Sequence, residues 1–458
     1  MWMPTGGEGR VAAPTTLQLL ARFAVDLDLT AIPAPVIART KLILQHNLIV
    51  MLAAREQPVP GQDQTEWPAA MPSDAVATRV TDGRLAPIEA AVVTNSLAMG
   101  ARAQHDEQEK AVSHFGSTTL PPLLAATEIS PVDGTRLLTG IVAAYEVGTR
   151  IATLTVDETR LRGFRPTGIY GTFAGATSTG LALGLDSDRL VAALAFAANL
   201  SSGLTHTWLA GTDEWRYQTA FAGRNGFVAA RLAGLGARGG PDTLDGRNGF
   251  HQAFAGSDEA AAAVADDLGV SWAVEDVLLK PYPVCAFNQA PVQQLLRVAE
   301  ERGIAAGDVR EVRIRMNADD LRYPGVSSTE PSKSRSQALM SMRTCAAIAL
   351  LERDVPIASL DSPDQSPVRD LAERVELIAD TGLDSHTSSV EVVTTEGTTF
   401  DSGGAAPVLY DGRVRAELLD RLLPVASPGR ESAQRILDAV EALDQHEGRV
   451  DLLAPLRR

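Results

Sequence analysis

Lysine is scarce in this chain: Lys41, Lys110, Lys280 and Lys333 are the only four, while arginine supplies almost all the positive charge. Lys280 opens the stretch KPYPVCAFNQAP (280–291), ahead of two prolines, Tyr282 and one of the two cysteines, Cys285. A desolvated lysine can shed its proton and act as a base, which arginine cannot. Pro281 and Pro283 hold the residues before them extended, so Lys280 sits on a stiff segment ahead of a helix expected to begin near Asn288. Three other stretches concentrate useful groups. AQHDEQEKAVSHFGSTTLPP (103–122) places His114 where a helix N-terminus would tune an imidazole near neutral pH. LRGFRPTGIYGTF (161–173) carries Arg162 and Arg165 among glycines, and DEWRYQTAFAGRNG (213–226) carries Arg216 and Arg224; guanidinium groups grip carboxylates bidentately. The chemistry open to such a set is acid/base work by the lysine or the histidine on an anionic guest that the arginines grip. The plainer readings are solvated loops with surface arginines, a helix packed through Trp215 and Tyr217, and lysines left over from codon bias.

Other chemistries find little support. The seven histidines form no HExxH-type pair, so no metal is expected, and the absence of GxGxxG after a strand, of a P-loop and of GxSxG removes the simplest nucleotide and serine-hydrolase readings; no cofactor is implied. A net charge of −16 argues against nucleic acid as a partner but leaves room for a locally basic pocket. No apolar run approaches the roughly 18 residues of a membrane span, and MWMPTGGEGR lacks the features of a secretory signal, so a cytoplasmic protein with no membrane partner is expected. Two cysteines suit a reducing compartment.

The elements that must position these groups change character along the chain. With 458 residues, two or three units or a large domain with an insertion are expected. Residues 14–55 read as two helices broken at Ile32-Pro33-Ala34-Pro35, and 56–85 as a surface connection. Alanine-rich helices are expected over 86–102, 131–155, 172–184, 187–201, 217–236 and 257–267, with Gly171, Gly175, Gly180, Gly223 and Gly226 allowing close helix packing. Beyond about 270 strands appear: EVRIRMN (311–317) alternates with period two, followed by VELIAD (375–380) and a hairpin in SVEVVTTEGTTF (389–400). Helices are expected at 334–353, 366–375 and 431–448. The prediction is a mainly α protein with an inserted α+β domain: a helical part over 1–271, an α/β unit over 272–405 and a helical return over 406–458.

Taken in order, these segments resemble the MmgE/PrpD family, whose members include 2-methylcitrate dehydratases, cis-aconitate decarboxylases and iminodisuccinate epimerases. The resemblance covers most of the chain and rests on HFGSTTLPPLLA (114–125), GTRLLTGIVAAYEVGTRIA (134–152), the GF-P-TG pattern at 163–168, AGRNG (222–226), GRNGFHQAF (246–254) and KPYPVC (280–285). It implies a helical domain built from both chain ends, a smaller inserted lid domain, a homodimer, a site between the domains and no cofactor. It further implies catalytic roles for His114, Lys280 and, in DLRYPG, Tyr323, with Gln104, Asp106, Gln108, Arg165, Tyr170 and Arg216 holding a small carboxylate substrate. RAQHDEQEK (102–110) departs from the family's HALDFDDTH-like loop, Arg165 stands where a histidine is usual, Asn288-Gln289 replaces Thr-His, and Trp215 takes a basic position. These changes argue against ordinary methylcitrate dehydration. The function implied is a cofactor-independent lyase, a dehydratase or decarboxylase; an epimerase or other isomerase, a diverged cyclase and a non-catalytic binding protein are the alternatives.

Overall fold

The computed structural model describes residues 13–54, 57, 76–256, 264–446 and 448–457. Long helices dominate the first half: Ala34–Leu52, Ile88–Ala101, Phe115–Ile129, Gly134–Thr153, Pro166–Ala182, Ser187–Leu200 and Glu214–Gly234. At their centre lies Pro166–Ala182, in which every residue is buried. A helix covered on all sides has no polar face, and small residues let its neighbours come close. A Cβ on Gly226 would fall 2.6 Å from the Ala176 nitrogen, and one on Gly175 2.8 Å from the Thr118 carbonyl oxygen. Side chains at these positions would collide with backbone, which is why glycine stands there.

This central helix begins a turn and a half earlier than its expected start at residue 172, because Pro166 supplies the fixed φ that suits a first helical residue. The expected helix at 257–267 lies outside the described residues up to 263, and Val264–Asp267 is short 3-10 helix and turn. Of the expected surface connection, 58–75 lies outside the described residues. Its end instead forms two short antiparallel strands, Ala77–Thr78, which is buried, and Leu85–Ala86, with Leu85 exposed and Ala86 buried; the Thr78 amide donates to Glu128 at 2.9 Å.

The second body is built on one sheet. Val309–Asn317 runs parallel to Val375–Asp380 on one side and antiparallel to Thr387–Thr394 on the other, and Thr399–Asp401 and Ala406–Pro407 both pair with that third strand. Val312, Ile314 and Met316 are buried and alternate with Arg313 and Arg315, as period two requires of a half-covered sheet. Helices Gln289–Glu301 and Met342–Glu352 supply apolar partners such as Leu295 and Ile348 to the same core. The helix expected over 334–353 is broken at Ser341, whose hydroxyl caps the second piece by accepting from the Thr344 amide.

The apolar side chains divide into two clusters. One gathers residues from Leu17 to Leu279 and takes in Leu418 to Leu456; the other runs from Val284 to Val392 and borrows Ala103, Trp208 and Trp215. The core therefore changes hands between Leu279 and Val284, a few residues later than 272, because Trp272, Val274 and Val277 pack into the first cluster. The chain leaves the sheet after Ala406–Pro407 and returns through helix Gly412–Leu422. Lys280 stands at this change of core. Among the described residues, no helix is long and apolar enough to cross a membrane.

Candidate functional site

A two-residue ladder brings the polar loop and the lysine segment together. Glu107–Gln108 pairs antiparallel with Val277–Leu278, Glu107 opposite Leu278 and Gln108 opposite Val277. Continuing that register sets His105 opposite Lys280, and the Gln104 amide does reach across to the Pro281 carbonyl at 2.9 Å. Side chains along extended chain alternate between faces. The odd positions Ala103, His105 and Glu107 consequently line a cavity with Lys280, and the even ones turn away from it.

That cavity, a small one of about 40 Å³, lies where the two apolar clusters meet. The helical body contributes His105, Glu107, His114, Arg165, Trp208 and Trp215; the inserted unit contributes Val284, Phe287, Tyr323, Leu339 and Met340. Two helices point their N-termini at it. His114 immediately precedes Phe115–Ile129 and Arg165 immediately precedes Pro166–Ala182, so both helix dipoles favour negative charge here.

Lys280 is 2% exposed, and among the described residues it has neither a hydrogen bond nor an ion pair. Burial lowers its pKa, while Glu107 pulls the other way. Arg165 is 2% exposed and has its pKa lowered to about 10 by burial. Its Nη1 donates to the Trp215 carbonyl and to the Thr219 hydroxyl, and its guanidinium lies 5.2 Å from the Trp208 ring centre. Its Nε and Nη2 carry no bond among the described residues. Tyr323 caps helix Ala318–Arg322 and rests against Phe287 at 5.4 Å, with burial pushing its phenol to about 12, so it is a neutral donor. Burial likewise pushes the Cys285 thiol to about 12, too high for a thiolate nucleophile at neutral pH.

His114 is held as a neutral base. Its Nδ1 lies 2.8 Å from the Asp106 carbonyl oxygen, which fixes the proton on Nδ1 and leaves Nε2 as the acceptor. Burial and the charge of Lys280 push its pKa down to about 3. The same Nδ1 is 3.1 Å from Glu107 Oε2. Burial would raise Glu107, but His386 and Lys280 beside it pull the other way and hold it ionised. His105 stands edge-on to His114 with ring centres 4.2 Å apart; it is 2% exposed and neither ring nitrogen has a partner among the described residues. The cations of the cavity outnumber its one carboxylate, an arrangement suited to an anionic guest.

Of the residues expected to act, the structure brings His114, Lys280, Tyr323 and Arg165 into one cavity and leaves five others outside its lining. Gln104 bonds Arg102 and Pro281, and Asp106 accepts from Tyr145 at 2.5 Å and from the Gly116 amide at 3.1 Å. Gln108 ties Ala273 to Ala111. All three sit on the inward side of the alternation, and Asp106, raised to about 6 by burial, is a structural carboxylate. The Tyr170 hydroxyl is spent on Thr155 and Thr159, at 3.0 Å each, inside the helical core. Arg216 stacks on Trp215 at 4.3 Å and donates to the Ala101 carbonyl behind that ring. The sequence reading passed over His105 and Glu107, which line the cavity. The clue was the period of two in His105-Asp106-Glu107-Gln108, which sets odd against even once the segment is taken as extended. Among the described residues, no group of three or more His, Cys, Asp or Glu side chains is placed to hold a metal ion.

Comparison with known proteins agrees with this layout. The family model for the MmgE/PrpD N-terminal domain matches residues 18–263, and that for the MmgE/PrpD C-terminal domain matches 282–416. A cis-aconitate decarboxylase of Aspergillus terreus (strain NIH 2624 / FGSC A1156) is 25% identical over 437 residues, covering 89% of this chain and 85% of the relative. A second cis-aconitate decarboxylase sequence from Aspergillus terreus matches to the same extent. The two family models leave between them residues 264–281, the stretch that carries Lys280 up to the change of core, and together they span most of the sequence: the chain belongs to the MmgE/PrpD family.

Proposed function

We propose that this protein is a cofactor-independent lyase that acts on a small di- or tricarboxylate, making or consuming a carbanion next to a carboxylate. The observation that carries the reading is Lys280: an almost fully buried ammonium with no partner among the described residues, facing a cavity that neutral His114 also lines. A buried charge needs compensation, and a substrate carboxylate supplies it. Arg165, with unbonded N–H groups beside the cavity, holds a second carboxylate, and Tyr323 donates a hydrogen bond as a neutral phenol.

Decarboxylation is the ending favoured here, supported by the naming of the Aspergillus relatives and by the apolar wall of Trp208, Val284, Phe287, Leu339 and Met340. A carboxylate pressed against that wall loses solvation that its carbon dioxide product does not need. The C–C bond breaks, its electron pair stays on carbon, and a proton from the Lys280 ammonium, made more acidic by burial, closes the carbanion. Dehydration would use the same groups with His114 Nε2 as the base. The test is incubation in heavy water with a panel of di- and tricarboxylates that includes cis-aconitate, followed by NMR and mass spectrometry of the products. Deuterium on the carbon next to a carboxylate is expected, accompanied by loss of carbon dioxide that is abolished in Lys280→Met or by loss of water that is abolished in His114→Ala. Binding of panel members without exchange or turnover would make the protein a carboxylate-binding protein and refute the proposal.

A further inference from the structure

His386 belongs to no motif singled out in the sequence, yet it is the residue of the inserted unit that reaches Glu107. It sits on the turn before strand Thr387–Thr394, is 3% exposed, and has a φ of +62°, a conformation few side chains other than glycine adopt. Helix Ala318–Arg322 enforces that backbone. Asp320 accepts the His386 amide at 2.8 Å on one oxygen and the Ser385 hydroxyl at 2.6 Å on the other, and Ser385 Oγ lies 3.0 Å from the ring's Nδ1. The ring leans on Phe287, centres 4.7 Å apart, and its Nε2 stands 3.5 Å from Glu107 Oε1. Neither of these two atoms has another partner among the described residues. Glu107 Oε2, on the far side of the carboxylate, faces His114 Nδ1 at 3.1 Å. A line of groups thus runs from Asp320 through Ser385, His386 and Glu107 to His114, crossing from one apolar cluster to the other. Backbone held in an uncommon conformation by several bonds is the pattern of a functional constraint.

We infer that His386 is a positioning residue: by pairing with Glu107 across the boundary between the two bodies, it holds the carboxylate that, beside the Asp106 carbonyl, faces His114 Nδ1 and keeps the proton there. His114 is then a competent base only while the inserted unit is seated against the helical body. The charged groups facing His386 are Glu107 and Glu109 from the polar loop and Asp320 from helix Ala318–Arg322. Burial would lower its pKa, but these carboxylates raise it. The sign follows: a raised folded pKa means the pairing is fully present below the unfolded value and is lost as pH rises through the folded one.

The role assigned to His386 rests on the proposed chemistry at His114, but one arm of its test does not. In the full chain labelled with [15N]histidine, long-range 1H–15N spectra report tautomers directly. The expectation is a single Nδ1–H form of His114 in the unchanged protein, a mixture of both tautomers in His386→Leu, and partial recovery in His386→Gln. With cis-aconitate as the probe, kcat of His386→Leu should fall by roughly 10- to 100-fold with KM little changed, since displacement of about an ångström costs that much. The high-pH limb of the rate profile should shift as well. A His114 tautomer unmoved in both variants overturns the inference, whether or not activity falls. An unmoved tautomer with turnover intact leaves the proposed function standing, and a tautomer that responds in a protein that turns over no carboxylate supports the positioning role while refuting that function.

Discussion

Replacing Lys280 by methionine separates the two services asked of it. The side chain keeps its length and loses its charge. A hydrogen bond from an ammonium to a carboxylate is worth about 1.5–3 kcal/mol, equivalent to roughly 12- to 140-fold in binding at about 1.4 kcal/mol per decade. Proton transfer by a positioned group adds about 10²- to 10⁴-fold to the rate. If Lys280 both anchors the substrate and moves the proton, kcat/KM should fall by at least about 10³-fold, with most of the loss in kcat. Stability should respond in the opposite sense. In the folded protein the ammonium is buried without a partner, and its lowered pKa means that folding disfavours the charged form. The unfolded chain binds more protons between the folded value and the ordinary one, so this cost is fully present below the folded pKa and disappears as pH rises past the unfolded pKa. Lys280→Met should therefore melt no lower than the unchanged protein at pH 7, and higher if the charge is as poorly compensated as its surroundings suggest. Steady-state kinetics on the substrate identified by deuterium exchange, paired with calorimetry, checks both halves. A change of less than about threefold in both kcat and KM, or a loss of activity that merely follows a lowered melting temperature, would refute the reasoning.

Three further outcomes follow from the geometry. Tyr170→Phe removes a hydroxyl that, among the described residues, bonds only Thr155 and Thr159, so it should cost about 1 kcal/mol of stability, measured by denaturant titration, and leave kcat/KM unchanged. Gly226→Ala drives a methyl group into the backbone at Gly175 and Ala176 and should destabilise by about 1–3 kcal/mol, seen as an earlier unfolding midpoint. His46, buried between Tyr410 and the Gln104 carbonyl, has its pKa pushed to about 4 by burial, so the stability it supports is lost as pH falls from about 6.5 toward 4. His46→Gln should flatten the acid side of the stability curve over that window.

Much of the molecule was legible from local rules. Period two in residues 311–317, alanine-rich stretches and the proline-stiffened KPYP segment gave the strands, most of the helices and the two-part architecture, because such features depend on near neighbours in the chain. The segments bearing His114, Arg165 and Lys280 were equally visible as concentrations of residues able to do chemistry. Tertiary structure decided which side chains of those segments meet. Pairing between residues 107–108 and 277–278 joins segments about 170 residues apart, and its register sends His105 and Glu107 to the cavity while Gln104, Asp106 and Gln108 become internal braces. A slip of one residue would have reversed that choice. Burial likewise made Lys280 partnerless, His114 neutral and Tyr170 a core residue, because it arises from everything around a group and not from the stretch of sequence that carries it.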